Sequence, residues 1–350
     1  MTVENKQCKV KGCERAWYAK TWCNYHYQQH RGGQLNELGE SVPRPLEIEG
    51  FGNVAEWIYI RASRTLMKLA TGERLTPESA AVAYGRGVLD LLKMQRIKQY
   101  RGECFHPVDT LEDHYNSFKI PKLIAEEQEY APLLPELRTL LDTLGENSLE
   151  YFQQWLAYGI LFPGKPTVTL VLHGVPGSGK TTLANLLSYI YGAYFETLNI
   201  HGLESEFNGW LERKLIIVAE EITVSSSRDK ERIHNIMKNY MMGGNVQINR
   251  KGIPQYNMEN LARWMMFSNS KFPVIIAEDD RRYSVIKQTS KLPSLIGEQI
   301  SANIPKFAAN LVQYLKRVDM EDFSPMRPRE NDARKAVQAE ASNKNVVHFK

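Results

Sequence analysis

Short apolar runs alternate with amphipathic segments over residues 150–318. Three of the runs, at 168–172, 215–219 and 264–267, are apolar at nearly every position rather than at alternate ones. Parallel strands that helices cover on both faces carry such runs, and strands that alternate with helices are typical of α/β domains. The pattern therefore predicts an α/β domain with a parallel sheet over residues 150–318.

The preceding region, residues 51–149, has a helical pattern instead. Residues 80–100 predict one amphipathic helix. An earlier helix is indicated by the apolar residues Val54, Trp57, Ile58, Leu66 and Leu69. We therefore expect a separate helical region before the α/β domain.

The two ends of the chain differ from these regions. Residues 1–33 are short, basic and rich in cysteine and histidine, and residues 34–50 look like a linker because Pro43 and Pro45 follow a Gly-Gly pair. Residues 319–350 are polar and predict a tail.

Composition narrows the class of protein. The chain has 350 residues, of which 43% are hydrophobic and 24% charged, as in folded soluble proteins. No apolar run approaches the roughly 20 residues of a membrane span, and no signal peptide is recognisable, so we expect no membrane partner. The four cysteines do not look like a secreted disulfide scaffold, so we expect a cytoplasmic, reducing compartment. The net charge of +4 is weak evidence for nucleic-acid binding by itself.

A phosphate-binding loop is the most specific motif. Residues 174–181 fit G-x-x-x-x-G-K-[ST] at every fixed position, and they lie between a predicted strand and a predicted helix. Backbone N–H groups of such a loop surround phosphate, the lysine reaches the β- and γ-phosphates, and the hydroxyl binds Mg²⁺. The predicted ATP-binding residues are Gly174, Pro176, Gly177, Ser178, Gly179, Lys180, Thr181 and Thr182.

Two carboxylates follow the strand at 215–219. Because ligands of open α/β sheets lie at the carboxyl ends of strands, Glu220 and Glu221 are expected beside the phosphate loop. We assign Glu220, with Thr181, to Mg²⁺ and Glu221 to the attacking water.

Two further candidates come from the strand at 264–267 and the segment after it. Asn269 follows the strand and can orient water without cancelling the charge of Lys180. Arg281 and Arg282 follow an acidic pair, and an arginine can stabilise charge on a transferred phosphoryl group. The sequence does not separate these two arginines.

The N-terminal cysteines predict a zinc site. Cys8, Cys13, Cys23 and His26 lie within nineteen residues, at a spacing that suits tetrahedral Zn²⁺. His30 is a weaker candidate for the fourth ligand. Basic and aromatic neighbours suit either nucleic acid or a protein partner, so both remain open.

In their order and spacing, these motifs resemble those of the superfamily 3 helicases, in particular the phage and plasmid branch that is often fused to primases. The resemblance covers about residues 100–341. It rests on the phosphate loop, LIIVAEE at 215–221, the segment KNYMMGGNVQINRKG at 238–252, WMMFSNS at 264–270 and DDRRYSVI at 279–286.

The resemblance implies an AAA+-like P-loop NTPase that assembles as a homo-hexamer, with an N-terminal helical collar. It implies that Glu220 and Glu221 form the acidic motif, that Asn269 is a sensor, and that Arg281 or Arg282 acts across a subunit boundary. A channel hairpin would bind single-stranded or forked DNA through Lys238, Arg250 and Lys251, by phosphate contacts that do not read sequence.

The expected function is therefore an ATP-dependent DNA helicase in phage or plasmid replication, which works with Mg²⁺ and carries Zn²⁺. A separate primase or polymerase would be a partner, since the chain has no room for the primase often fused upstream. An initiator or loader that remodels DNA without processive unwinding is the alternative. A small-molecule kinase is less favoured because no substrate lid is recognisable.

Overall fold

The computed structural model describes residues 8, 10–11, 13–14, 23–31, 47–107, 111–127, 129, 131–220, 227–241, 243–270, 276 and 280–347. The chain divides into two compact units, Met1–Gly102 and Glu103–Lys350. The predicted boundary near residue 149 is therefore not where the units divide, and residues 103–149 belong to the second unit.

The first unit begins with the short helix α1 (Asn24–Arg31) and contains a small mixed sheet. Its strands run in the order β5-β4-β3-β6, with β3 antiparallel to β4 and parallel to β6. Phe51, Trp57 and Leu66 lie in its core, and the rings of Phe51 and Trp57 stack 4.4 Å apart. The strands and helices of this unit are β1 (Glu47–Ile48), β2 (Gly52–Asn53), β3 (Trp57–Ile60), β4 (Thr65–Lys68), β5 (Arg74–Leu75), α2 (Pro77–Tyr84), α3 (Gly87–Lys93) and β6 (Lys98–Tyr100).

The predicted helix over Val54–Leu69 is wrong, because β3 and β4 form an antiparallel pair there. Aromatic and β-branched residues fill β3, which favours a strand, and Arg64 turns the chain with φ of 51°. Both strands are largely buried on both faces, so apolar residues occur at most positions. Some of these positions fall at the spacing expected for one face of a helix. The predicted helix over 80–100 is interrupted at Gly85, where φ is 92°, and ends before β6.

The second unit is built on a five-stranded, fully parallel sheet with strand order β10-β11-β14-β9-β15. Its elements are β7 (Gly102–Cys104), β8 (His114–Asn116), α4 (Lys122–Ala125), α5 (Pro135–Asp142), α6 (Glu146–Leu161), β9 (Thr169–Gly174), α7 (Lys180–Tyr191), β10 (Phe195–Leu198), α8 (Ile200–Glu204), β11 (Ile216–Glu220), α9 (Ser227–Met241), β12 (Asn245–Arg250), β13 (Ile253–Glu259), β14 (Arg263–Ser268), β15 (Tyr283–Gln288), α10 (Ser294–Ala302), α11 (Ile304–Leu315) and α12 (Asp332–Val347). The prediction of an α/β fold with a parallel sheet is confirmed, and β9, β11 and β14 are the three predicted strands.

Both faces of this sheet are buried. Leu170 and Leu172 of β9 pack in one cluster with residues of α7 and α11. Val171, which points the other way, packs with Met237 of α9 in a second cluster. Two-sided burial explains why these strands are apolar at every position rather than at alternate ones.

The predicted polar tail is partly wrong, because α12 packs on β15. Arg334 and Val337 are buried, and Arg334 Nε donates a hydrogen bond to the Tyr283 carbonyl at 3.2 Å. Asn331, just before the helix, donates to the Val285 carbonyl at 2.8 Å. A few buried side chains on a polar helix are therefore enough to dock it against the sheet edge.

No described helix is long and apolar enough to cross a membrane.

Candidate functional site

The phosphate-loop motif lies at the carboxyl end of β9. The loop leaves the sheet at Gly174 and enters α7 at Lys180. Gly177 and Gly179 have φ of 81° and 87°, a region that favours glycine. The segment therefore has the positive-φ glycines and the following helix N-terminus that the motif predicts.

A cavity of about 390 Å³ lies at this loop. Lys180 and Thr181 line it from the loop side, and Glu220 and Asn269 line it from the ends of β11 and β14. The remaining predicted ligands in the lining are Pro176, Gly177, Ser178, Gly179 and Thr182. All the sequence-predicted nucleotide residues except Gly174 thus line one cavity.

Glu220 and Asn269 converge because β11 and β14 are neighbours in register. Glu220 pairs with Phe267 across the two strands, so the carboxylate and the amide leave the same edge of the sheet. Glu221 lies outside the described residues, so its predicted role stays a prediction.

Gly174 does not line the cavity. Its lack of a side chain instead allows the chain to pass close to β15. A Cβ atom at this position would lie 2.6 Å from the Gln288 carbonyl oxygen of β15. The chain can bend into the loop beside β15 only because this position is a glycine.

Gln288 is a site residue that the sequence analysis missed. Ser178 Oγ donates a hydrogen bond to Gln288 Oε1 at 2.8 Å, and Gln288 Nε2 donates to the Ser178 carbonyl at 2.9 Å. Both side chains are buried. The amide therefore holds the centre of the phosphate loop, yet it lies 110 residues from Ser178 in the chain, and a glutamine at a strand end carries no motif.

Lys180 folds back over its own loop. Its Nζ atom donates to the Val175 carbonyl at 3.3 Å and to Ser178 Oγ at 3.1 Å. The ammonium group is thus held close to where phosphate oxygens would enter the loop.

His173, the residue before the loop, is buried, and its Nε2 atom has no hydrogen-bond partner within the described part of the chain. Burial lowers the pKa of this imidazole to about 4, with the positive charges of Lys287 and Lys180 acting in the same direction. The ring is therefore neutral near pH 7 and adds no positive charge behind Lys180.

Arg281 and Arg282 do not line the cavity, and they differ from each other. Arg282 is bound by Asp280, which accepts from its backbone N–H at 2.8 Å and from Nη1 at 3.3 Å. Arg281 is exposed. Their predicted catalytic role stays a prediction.

The predicted hairpin is present as β12 and β13, which pair antiparallel, and its binding to DNA stays a prediction. Arg250 Nη1 lies 2.9 Å from the buried carboxylate of Glu212, and that carboxylate also accepts from Arg213 at 2.6 Å. Lys251 is exposed at the turn, next to Gly252 with φ of 76°. Lys238 lies half-buried in α9 rather than on the hairpin. Of the predicted DNA contacts, Lys251 is therefore the one that the hairpin presents to solvent.

The predicted zinc ligands also converge. One ligand atom from each of Cys8, Cys13, Cys23 and His26 lies within 4.8 Å of the others. His26 Nδ1 is 3.3 Å from Cys8 Sγ and 3.4 Å from Cys23 Sγ. Ligands of a tetrahedral zinc ion with Zn–S bonds of about 2.3 Å lie roughly 3.8 Å apart, so the cluster has the size of such a site.

The electrostatics of the cluster also suit thiolates. Burial by itself would raise the pKa of the Cys8 and Cys23 thiols, but hydrogen bonds lower both below their usual value. A metal ion needs deprotonated thiols.

Comparison with known proteins shows what this chain is similar to. Residues 172–282 match the model of a family of unknown function, DUF5906. The DNA primase-polymerase of Nitratiruptor phage NrS-1 is 27% identical over 177 residues. That match takes in 50% of this chain but only 25% of the relative, so the chain spans a quarter of the length of the curated relative it matches.

Solved structures show the same fold. The apo structure of the NrS-1 C-terminal region, residues 305–718 of that protein, has a TM-score of 0.68 at 20% identity, covering 81% of this chain and 71% of that one. A second apo structure of the region, its A form, has a TM-score of 0.65 at 20% identity with the same coverage.

These comparisons overturn the predicted helicase. The matching relative is named for primer synthesis and polymerisation and not for superfamily 3 unwinding. The predicted activity, ATP hydrolysis coupled to unwinding, is therefore wrong. The cofactors predicted for ATP hydrolysis are wrong for the same reason. The physical reason is that a phosphate loop, an acidic strand end and a polar sensor position indicate triphosphate binding, and they do not specify what the bound nucleotide is used for.

Proposed function

We propose that this chain is the nucleoside-triphosphate-binding part of a DNA-replication protein of the primase-polymerase kind. The single observation that carries the proposal is the cavity at the phosphate loop, which brings Lys180, Thr181, Glu220 and Asn269 together. The relationship over 177 residues to a phage primase-polymerase supports the replication context.

The second unit is proposed to be a P-loop domain in which each cavity group has a separate task. Lys180 binds the β- and γ-phosphates, and Thr181 and Glu220 hold a magnesium ion against them. Asn269 offers an uncharged amide to the terminal phosphate. Gln288 keeps the loop open through Ser178.

Nucleotidyl transfer by two metal ions needs carboxylates that hold both ions. Among the described residues, Glu220 is the one carboxylate that lines the cavity. The proposal therefore assigns triphosphate and DNA binding to this chain, and nucleotidyl transfer to the parts of a primase-polymerase that it does not match.

Lys251 is proposed to contact the phosphates of single-stranded DNA. It is exposed at the tip of the β12–β13 hairpin, where a cation meets phosphate without contact to base edges.

Cys8, Cys13, Cys23 and His26 are proposed to form a structural zinc module. A segment this short cannot bury a core of its own, so metal binding would supply much of its folding free energy.

Elemental analysis of reductively purified protein should find about one zinc per chain, because one four-ligand set is present. Cys23→Ser should lose that zinc, whereas Cys104→Ser should keep it. Equal zinc content in both variants, or none in the parent chain, would remove this module from the proposal.

The test of the main proposal is titration with a fluorescent deoxynucleoside triphosphate in Mg²⁺. Lys180→Ala should weaken binding by roughly 10- to 100-fold, since a hydrogen bond to a charged group contributes about 1.5–3 kcal/mol. Lys165→Ala, which removes an exposed lysine outside the cavity, is the matched control and should bind like the parent chain. Equal affinity in the parent, Lys180→Ala and Lys165→Ala proteins would refute triphosphate binding at the loop.

A further inference from the structure

Segment 119–126 lies between two surface cavities on the second unit. One cavity, of about 420 Å³, extends to the end of α7, and the other, of about 630 Å³, extends to the ends of α6 and α11. Ile120 lines both. We call the two cavities and the residues between them the paired-cavity surface.

Large apolar side chains remain exposed at this surface. Ile120, Leu161 and Tyr189 line the cavities and Phe162 follows Leu161, and each is between 37% and 52% exposed. Scattered single exposures are ordinary, but several at one concave place mark an interaction site. The two cavities, on either side of Ile120, fit two apolar side chains of one partner segment.

The charged groups of the paired-cavity surface are mainly positive. Four basic residues line it against two acidic ones, Glu126 and Glu127. The basic residues are Lys119, Lys122, Lys316 and Arg317. Glu126 is already engaged, because its carboxylate lies 3.7 Å from Lys122 Nζ and its carbonyl accepts from Lys316 Nζ at 2.9 Å. The surface therefore has an apolar centre and a net positive rim.

We propose that the paired-cavity surface binds an acidic, amphipathic peptide segment of a partner protein. Two apolar side chains of the peptide enter the cavities beside Ile120, and its carboxylates face Lys119 and Arg317. Charge complementarity of this kind steers association and fixes register.

Two other occupants fit the surface less well. A second copy of the chain, bound through a two-fold axis, would bring the same basic rim against itself, which like-charge repulsion disfavours. Single-stranded DNA would find lysines and the exposed rings of Tyr189 and Phe162, but Ile120, the residue that lines both cavities, is aliphatic and gives a base no face for stacking.

The probe is a fluorescein-labelled peptide rich in aspartate, with two leucines one helical turn apart. Fluorescence anisotropy on the full chain should show saturable binding that weakens as salt rises. Replacing both leucines by serine, or the aspartates by lysine, should each reduce binding by more than tenfold. Ile120→Asp should reduce binding by more than tenfold because it places a carboxylate between the cavities. Val82→Asp, at an apolar residue of the first unit that is also exposed, is the control and should bind like the parent chain.

Several outcomes would overturn the proposal. No saturable binding at low salt would do so, as would equal peptide affinity in the parent and Ile120→Asp chains when both have the same thermal unfolding midpoint. Self-association that Ile120→Asp abolishes would assign the surface to a second copy. Competition by a single-stranded oligonucleotide that Ile120→Asp abolishes would assign it to nucleic acid.

Discussion

The phosphate loop and the β12–β13 hairpin are both regions where the sequence indicated contact with phosphate, but they are held in different ways. Buried contacts with the neighbouring strand position the loop, through Gly174 and the amide of Gln288. The hairpin is anchored by Ile248 in the core and by hydrogen bonds between Asn208 and its backbone, while its basic side chain Arg250 is paired with the buried carboxylate of Glu212. The backbone conformation of the loop follows from its motif, whereas the role of a basic residue such as Arg250 depends on which acidic residue lies beside it.

The largest expected effect concerns His173, behind the loop. Its folded-state pKa of about 4 lies below the ordinary value of 6.5, so the unfolded chain binds a proton more readily. Stability from this group is fully present above pH 6.5 and is lost as pH falls toward 4, by a contribution on the order of 3 kcal/mol. Chemical unfolding at several pH values should show this loss in the parent chain and a flatter curve in His173→Gln. Identical curves would mean that His173 is not held neutral by the fold.

The next effect tests the close approach of the loop to β15. Gly174→Ala should destabilise the chain by about 1–3 kcal/mol, because its Cβ must displace the Gln288 backbone. Gly87→Ala is the control, since a Cβ there meets only an ordinary contact at 3.5 Å. Denaturant titration measures both, and equal stability of the two variants would contradict the close packing of loop and strand.

A smaller effect is expected at the hairpin base. Glu212→Gln removes the carboxylate shared by Arg213 and Arg250, and should cost about 1–2 kcal/mol, since Arg250 is partly exposed and its pairing is screened. Hydrogen exchange should rise in β12 and β13 while β9 is unchanged. Faster exchange in β9 as well would show that the two regions are not held independently.

The smallest effect is expected at Lys251. Lys251→Ala should weaken single-stranded DNA binding a few-fold and reduce the salt slope by about 0.7, as the loss of one phosphate contact does. Arg250→Ala should change this slope less, because Glu212 already pairs with Arg250. A salt slope that Lys251→Ala leaves unchanged would contradict contact by the hairpin tip.

The predictions from sequence were most accurate for features that depend on strand pairing and on glycine conformation. The three apolar runs and the glycines of the loop led to β9, β11, β14 and the cavity, because parallel pairing brings strand ends together whatever lies between them. Prediction from sequence failed over Val54–Leu69, where strands buried on both faces have apolar residues at helical spacing. It could not find Gln288, whose role arises only when β15 pairs with β9.

Function was harder to predict than the site. Lys180, Glu220 and Asn269 line one cavity, yet the helicase expected from them is contradicted by the similarity to a primase-polymerase. The predicted use of the nucleotide came from resemblance, and no described side chain of the cavity determines it.

Photochemical labelling tests the central claim, that the cavity holds a nucleoside triphosphate, most directly. A photoreactive deoxynucleoside triphosphate is bound in Mg²⁺ and irradiated, and the labelled peptides are identified by mass spectrometry. The account predicts saturable labelling in residues 174–182 or in the facing wall at Leu292, Ser294 and Gly297, and its loss with excess unlabelled triphosphate. Labelling that falls in Met1–Gly102, or that excess triphosphate does not reduce, would contradict it.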